Sequence, residues 1–169
     1  MKTLLFLIAI TLGAMATPAH IKWQTAKVTK VSDGDTVWLQ DGHKHFKARL
    51  IGLDTFETKM NHRVFMQLAT LKDIHPRASH SVREVLAIGH KTARWLSKRI
   101  LNKTVQYHSY GTDTYGRELI YIKKINYLLI RYGMAIQYPT NKLHLKRKQF
   151  LLNASREANK EKRGIYGSF

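Results

Sequence analysis

The sequence predicts one mainly β domain of the α+β class, and three observations support this prediction. The chain has 169 residues, close to the roughly 150 residues of a typical domain. Apolar residues alternate with period two over residues 23–54, and strand-like runs return over 104–110 and 118–125. Helical spacing occupies much of the remainder. Five strands surrounded by helices fit a small closed barrel such as the OB-fold, although composition alone does not separate it from other α+β folds.

Turn residues divide the strand-like runs. Asp33-Gly34 and Asp41-Gly42 are turn dipeptides within the first alternating region. They predict a three-stranded antiparallel meander. A glycine-containing turn over residues 111–117 separates the last two runs, which therefore predict a hairpin.

About three helices are predicted around these strands. Ser81 with Glu84 three residues later is a capping box, and it begins a helix over residues 82–101. Asn126 is expected to cap a short helix that ends at Gly133.

The remaining segments differ in their helical signal. The last helix is expected over residues 143–162, where the sequence is rich in charge. Residues 58–80 contain Pro76 and scattered apolar residues, and they are interpreted as an extra long loop with about one helical turn. Long loops inside compact domains are uncommon and often functional.

The charge balance points to polyanionic partners. Lys and Arg number 29 and Asp and Glu number 11, which gives a formal net charge of +18. A hydrophobic share of 44% is ordinary for a globular domain, so the basic residues decorate a folded surface. Nucleic acid and anionic membrane surfaces are the candidate partners. The absence of cysteine excludes disulfide frameworks, thiolate zinc sites and cysteine nucleophiles.

Residues 1–16 have the layout of a secretory signal peptide. Lys2 precedes an apolar run over residues 3–13, and a small-x-small pattern ends at Ala16. A membrane anchor is the alternative, but the run is shorter than the roughly 20 residues needed to span a bilayer. We therefore expect cleavage after Ala16, a mature domain over residues 17–169 without stable membrane insertion, and a secreted or periplasmic location.

Four acidic residues stand out in a chain that has few. Asp33 and Asp35 flank a tight turn, and Asp54 and Glu57 follow a strand. Such acids either pair with the surrounding cations or hold a hard, oxygen-ligated ion such as Ca²⁺ or Mg²⁺. The spacing alone favours neither interpretation.

Two arginines favour phosphate chemistry. Arg49 lies shortly before Asp54, and Arg117 follows a glycine at a hairpin turn. A guanidinium fork binds phosphate oxygens bidentately. If both arginines meet the acids, the site holds a cation, a spare carboxylate and two phosphate clamps, which suits phosphodiester hydrolysis.

The order of these motifs resembles the staphylococcal nuclease (thermonuclease) family. The matching motifs are Val28-x-x-Val31-x-Asp33-Gly34-Asp35-Thr36, Arg49-Leu50-x-Gly52-x-Asp54-Thr55-x-Glu57, Gly89-x-x-x-Ala93, Asp113-x-Tyr115-Gly116-Arg117-x-Leu119, Leu129-x-Arg131-x-Gly133-x-Ala135 and Gly164-Ile165-Tyr166. The match extends over residues 22–166 and is interrupted by residues 58–80. Each motif is weak to moderate alone, but their ordered combination is specific.

The resemblance implies a monomeric OB-fold enzyme, a Ca²⁺-dependent nuclease that acts on DNA and RNA with little sequence specificity and leaves 3′-phosphorylated products. The roles that it implies are catalysis by Arg49, Glu57 and Arg117, calcium ligation by Asp35, Asp54 and the Thr55 carbonyl, and phosphate contact by Tyr115. Tyr138 follows near the expected cleft and could stack on a base, although core packing is an equal alternative.

Phe56 and Thr114 depart from the family pattern. Phe56 replaces a usual proline, so the turn before Glu57 loses a fixed φ angle. Thr114 stands where a basic residue is frequent, which puts one phosphate contact in doubt. A noncatalytic OB-fold module that binds nucleic acid is the alternative function, and a protein that binds anionic membranes is a third. Binding to a polyanion alone does not need acids beside it, so retention of the acids favours the nuclease.

Overall fold

The computed structural model describes residues 22–167, so the predicted signal peptide lies outside the described residues. The seven strands are β1 (Gln24–Val31), β2 (Thr36–Asp41), β3 (Lys44–Leu50), β4 (Leu53–Asp54), β5 (Thr104–Thr112), β6 (Glu118–Ile122) and β7 (Ile136–Gln137). The α-helices within residues 22–167 are α1 (His62–Ile74), α2 (Val82–Ile100), α3 (Ile125–Arg131) and α4 (Leu145–Lys160). Within the described residues, no helix is both long and apolar enough to cross a membrane.

Five strands close into a barrel in the order β1-β2-β3-β6-β5, with β5 paired back to β1. The β1-β2-β3 meander and the β5-β6 hairpin are antiparallel, and β3 pairs with β6 in parallel. Strands β4 and β7 form a separate two-stranded sheet. The predicted five-stranded OB-fold barrel of the α+β class is confirmed, with four helices instead of about three.

Alternation fills the barrel with the side chains that the period-two pattern predicted. Val28, Val37, Leu39, Ala48 and Leu50 are all fully buried. Each comes from the meander, where every second side chain points inward. The alternation in the meander therefore indicates which of these side chains face the core.

The prediction of a long loop over residues 58–80 was wrong, because α1 occupies thirteen of these residues. The side chain of Asn61 accepts a hydrogen bond from the Arg63 backbone at 2.9 Å and begins the helix. Val64, Gln67 and Leu71 are buried along one face. Their spacing is helical, but a buried glutamine in the middle weakened the apolar pattern.

Asn126 has a different role from the predicted helix cap. It lies inside α3, which begins one residue earlier, and it is fully buried. Its side chain accepts from the Ile122 backbone and donates to the Ile51 carbonyl, both at 2.9 Å. Asn126 thus ties α3 to the end of β6 and to the segment after β3, and it satisfies backbone groups that burial would leave unpaired.

Candidate active site

Arg49 bridges two of the predicted site acids. Asp35 precedes β2 and is buried, with only 4% of its surface exposed. Its Oδ1 accepts from Arg49 Nη1 at 2.9 Å, and its Oδ2 accepts from the Thr55 backbone N–H at 3.2 Å. Arg49 Nη2 donates to Asp54 Oδ1 at 2.6 Å. One guanidinium on β3 therefore holds together carboxylates that are nineteen positions apart in the sequence.

The surroundings of Asp35 favour a bound cation. Burial raises the pKa of Asp35 to about 6, since burial, with smaller contributions from Asp33 and Asp54, outweighs the lowering by Arg49 and by the hydrogen bond from the Thr55 backbone. Burial lowers the pKa of Arg49, but the nearby carboxylates more than offset this, so its pKa is raised. Burial therefore disfavours the charged form of the Asp35 carboxyl, and a cation bound beside it would favour that form.

Helix α1 positions the turn that carries Glu57. The Gln67 side chain accepts from the Glu57 backbone N–H at 2.8 Å and donates to the Thr55 carbonyl at 2.9 Å. Asn61 Nδ2 donates to Glu57 Oε2 at 3.0 Å. Helix α1 and its cap therefore fix both the backbone and the carboxylate of Glu57.

Arg63, also on α1, adds a guanidinium that the sequence analysis missed. Its Nη2 donates to both Asp54 oxygens, at 2.6 and 2.7 Å. Its Nε lies 2.9 Å from Glu57 Oε1 as an ion pair, although not in hydrogen-bond geometry. The helical spacing within residues 58–80 was the signal that could have revealed this contact. Arg63 and Arg49 together link Asp35, Asp54 and Glu57 into one chain of charges.

Asp113 orients Arg117 at the β5-β6 hairpin. Its Oδ2 accepts from Arg117 Nε at 2.8 Å, and its Oδ1 accepts from the backbone N–H groups of Arg117 and Tyr115. Burial alone would raise the pKa of Asp113, but these hydrogen bonds outweigh it and lower the pKa. The Tyr115 ring is 83% exposed, and its centroid lies 5.5 Å from Arg117 Cζ. The hairpin therefore presents a positioned guanidinium beside an open aromatic ring.

Two adjoining clefts contain all eight predicted site residues. A cleft of about 400 Å³ is lined by Asp35, Arg49, Thr55, Glu57, Tyr115 and Arg117, among others. A second cleft, of about 590 Å³, is lined by Asp54 and Tyr138 among others. The two clefts share Arg49, Arg63 and Arg117. The structure thus brings together residues that the sequence spreads over more than a hundred positions.

The donor chemistry of the site fits a calcium ion. Asp35 and Asp54 supply carboxylates, and the Thr55 carbonyl keeps a second lone pair besides the one that accepts from Gln67. Ca²⁺ takes such hard oxygen ligands and completes its shell with water. Among residues 22–167, no three acidic, histidine or cysteine side chains form a metal-binding group by themselves. Carbonyl and water oxygens would therefore have to complete the shell.

Phe56, which replaces the usual proline, anchors the turn before Glu57 by burial. Its side chain is 1% exposed and packs in a second core with Leu71 of α1 and Ile165. A buried aromatic ring restrains the turn through packing, where proline would restrain it through φ. This substitution therefore leaves the backbone before Glu57 held in place.

Gly89 of α2 packs directly against the same turn. A Cβ atom at this position would lie 2.6 Å from the Phe56 carbonyl oxygen and closer still to that of Glu57. Helix propensity alone predicts that Gly89→Ala stabilises the protein by about 1 kcal/mol. We expect the opposite, a destabilisation of about 1–3 kcal/mol from overpacking, measured by urea unfolding.

Ala87, exposed on the same helix, provides the control for this prediction. Ala87→Gly should show the ordinary propensity effect, a loss of about 1 kcal/mol. A stabilised Gly89→Ala variant would contradict the close packing between α2 and the turn.

Comparison with known protein families places the chain. The family model described as "Staphylococcal nuclease homologue" matches residues 47–168, which is more than half of the chain. The chain belongs to the staphylococcal nuclease family. The resemblance inferred from the ordered motifs is therefore confirmed, and family membership points to a nuclease-like function.

The chain is also similar to a protein of Methanocaldococcus jannaschii. The uncharacterized protein MJ1439 of Methanocaldococcus jannaschii is 29% identical over 152 residues, covering 83% of this chain and 70% of that protein. The name of that protein states no activity, so the function of the present chain rests on the geometry of its own site.

Proposed function

We propose that the protein is an exported, calcium-dependent nuclease. It hydrolyses phosphodiester bonds of DNA and RNA with little sequence specificity and leaves 3′-phosphorylated products. The observation that carries this proposal is the meeting of Arg49, Arg117 and Glu57 around one cleft beside the buried Asp35. Phosphate-binding forks beside a carboxylate and a cation-binding pair of acids are the components of phosphodiester hydrolysis.

Asp35, Asp54 and the Thr55 carbonyl would hold the calcium ion. When bound, the ion supplies charge neutralisation at the phosphate and a more acidic water molecule. Asp33 supports this arrangement from behind, because its Oδ1 accepts from the Asp35 backbone N–H at 3.0 Å.

Glu57 accepts the proton of the attacking water in this proposal. Positioned acid-base assistance of this kind contributes about 10²- to 10⁴-fold in rate. The Asn61 and Gln67 contacts limit the freedom of the Glu57 side chain and backbone. Fixing them in advance lowers the cost of reaching the reactive geometry.

Arg49 and Arg117 stabilise the charge that builds on the phosphate oxygens. A phosphodiester is already anionic and repels hydroxide, so fixed guanidiniums aimed at the five-coordinate transition state lower the barrier. Tyr115 contacts a phosphate at the cleft entrance. Tyr138, 59% exposed on the second cleft, stacks on a base.

Contacts to phosphates alone give little sequence specificity.

Cleavage assays test the proposal directly. The purified protein is incubated with single-stranded DNA, duplex DNA and RNA, each with Ca²⁺, with Mg²⁺ and with chelator, and the product termini are determined. We expect Ca²⁺-dependent cleavage of all three substrates and 3′-phosphate ends. Cleavage that survives the chelator would overturn the calcium requirement and leave the nuclease proposal standing.

A noncatalytic nucleic-acid-binding module is the alternative, and one observation favours it. Arg63 donates to both oxygens of Asp54, so a guanidinium already neutralises a proposed calcium ligand. Binding of nucleic acid without cleavage under every tested condition would establish this alternative.

The same contact makes a prediction about metal affinity. Arg63→Gln should tighten Ca²⁺ binding, because the guanidinium and the ion compete for the Asp54 carboxylate. The Arg63 side chain is 40% exposed, and an ion pair of this kind contributes at most about 1 kcal/mol, which corresponds to about fivefold in affinity. Calorimetric titration of Ca²⁺ without substrate measures the change.

Arg156→Gln is the matched control, since it removes the same charge from an exposed position on α4. Its Ca²⁺ affinity should equal that of the unsubstituted protein. Weaker binding by Arg63→Gln would show that Arg63 supports the ion instead of competing with it.

A further inference from the structure

A third groove, of about 590 Å³, shares no lining residue with the two clefts of the candidate active site. Its aromatic side chains are Trp23, Tyr121, Tyr127 and Phe150, and we name it the aromatic groove. Phe150 is 49% exposed and Trp23 is 36% exposed. Tyr127 stacks on Phe150 with 4.4 Å between ring centroids. Two exposed rings, those of Trp23 and Phe150, in a concave surface are typical of a binding site.

Cations are interleaved with these rings. The basic residues of the groove are Lys123, Lys124, Lys146 and Arg147, and none of its described lining residues is acidic. Arg147 Cζ lies 5.0 Å from the centroid of the Trp23 ring and 4.5 Å from that of Tyr121. Flat rings beside unopposed cations match a ligand that carries both planar groups and negative charge.

Several of these cations sit where they do not favour folding. Lys124 has a φ of +68°, in the left-handed region that costs a non-glycine residue free energy. Lys146 and Arg147 lie in the first turn of α4, which contains no acidic residue. Cations there oppose the helix dipole, whereas an anion bound near them would be favoured by the dipole and by their charges. An anionic ligand therefore accounts for an arrangement that local stability does not.

We infer that the aromatic groove binds an unpaired segment of nucleic acid, with bases stacked on Trp23 and Phe150 and phosphates held by the surrounding cations. The segment is single-stranded, because bases within a duplex are already stacked on one another and cannot present their faces to the rings. The inference rests on the proposed function in taking nucleic acid as the polyanion.

Contacts connect the aromatic groove to the second cleft. Lys142 lines that cleft, and its Nζ donates to the Thr112 carbonyl at 3.0 Å. Tyr110, two residues earlier on β5, accepts a hydrogen bond from Arg147. The end of β5 and the segment before α4 therefore run together from the cleft to the groove. A long strand held in the groove can continue into the cleft, whereas a dinucleotide is too short to occupy both sites at once.

An anionic membrane fits the aromatic groove less well than a nucleic acid. A membrane-binding surface projects its apolar side chains into the acyl region. Here Tyr121 is buried, Tyr127 is stacked on its neighbour, and the Arg147 guanidinium lies over the rings. The rings form the walls of a groove with charge across them, which suits stacked bases.

Two substitutions test the groove by fluorescence anisotropy with a labelled oligothymidylate in the presence of chelator. Phe150→Ala should weaken binding about 5- to 150-fold, which corresponds to the loss of one base stack. Lys124→Gly replaces a residue whose φ is unfavourable by one that adopts this φ freely, so the variant should fold at least as well as the unsubstituted protein. The slope of log affinity against log salt should become less steep by about 0.7, as expected for the loss of one single-strand phosphate contact.

The controls remove the same groups elsewhere. Phe65 is 57% exposed on α1 and lines none of the clefts, so Phe65→Ala should leave affinity unchanged. Lys160→Gln removes one exposed charge at the far end of α4 and should not lower the salt slope as Lys124→Gly does. Equal affinities of the groove variants and these controls would overturn the inference.

Cleavage kinetics separate this inference from the proposed function. The groove variants should raise KM for long single strands and leave kcat on a dinucleotide substrate unchanged. Groove-dependent binding without any cleavage by the unsubstituted protein would support the groove and refute the nuclease. Normal cleavage of long strands by both groove variants would support the nuclease and refute the groove. If phosphatidylserine vesicles, and not the oligonucleotide, lose binding to the variants, the groove is a membrane site and the inference is wrong.

Discussion

Glu57→Gln is expected to slow phosphodiester hydrolysis by about 10²- to 10⁴-fold, the contribution of a positioned general base. The amide keeps the size of the side chain and its place beside Asn61, but it cannot accept the proton of the attacking water. Affinity for single-stranded DNA in chelator should not fall, because the substitution removes a negative charge next to a polyanion. Single-turnover cleavage and anisotropy measure the two properties separately.

Glu157→Gln provides the matched control for this substitution. Glu157 lies on α4 with its side chain half exposed, and it pairs with Arg131 at the surface. The Glu157→Gln variant should cleave DNA at the normal rate. Near-normal turnover by Glu57→Gln would remove Glu57 from the reaction, and a loss of DNA affinity equal to the loss of rate would assign it to substrate binding instead.

The barrel could be predicted because its determinants are local. Turn dipeptides at Asp33-Gly34 and Asp41-Gly42 separate strands whose alternation already shows which side chains face inward. The capping box at Ser81 likewise marks a helix start that the structure reproduces, with the Ser81 side chain accepting from the Glu84 backbone. Elements whose signals lie within a few residues were therefore predicted correctly.

Helix α1 was missed because its buried face includes a polar residue, which weakens its helical apolar pattern. Gln67 is 6% exposed, and its amide is satisfied by backbone groups of Thr55 and Glu57, which lie twelve and ten positions away. Sequence periodicity counts such a residue as surface. Asn126 was misassigned for a similar reason, since its partners at Ile51 and Ile122 come from other elements.

The candidate site likewise combines residues that local motifs identify with contacts that depend on distant elements. The motifs identified its acids and arginines, but their convergence depends on the barrel topology and remained an assumption in the sequence. Arg63 lies outside the motifs, and its position over Asp54 follows from the direction of α1. We therefore expect the position of the Glu57 carboxylate to depend on α1 as well as on the residues that match the family motifs.

Arg117→Ala is expected to lower kcat by about 10²- to 10³-fold, the effect of removing one donor aimed at developing charge. Arg117→Lys should recover only part of this loss, since an ammonium lacks the planar fork that binds two phosphate oxygens. Asp113 holds that fork through hydrogen bonds to Nε and the backbone. Asp113→Asn should therefore lower kcat by a smaller factor, because the donors remain but are less well oriented. Rapid-quench cleavage with saturating Ca²⁺ measures all three variants.

The double variant shows whether Asp113 acts through Arg117. If Asp113 only orients the guanidinium, Asp113→Asn should have no further effect on kcat once Arg117 is alanine, so the two losses should not add. Additive losses would mean that Asp113 contributes to catalysis independently of Arg117.

The pH at which each variant unfolds gives a second check of the contact between Asp113 and Arg117. Asp113 has a lowered pKa in the folded protein, so its stabilising contribution is present above its unfolded pKa and disappears as the pH falls through its folded value. Both Asp113→Asn and Arg117→Ala should therefore reduce the loss of stability on acidification, whereas Glu157→Gln should not reproduce this change.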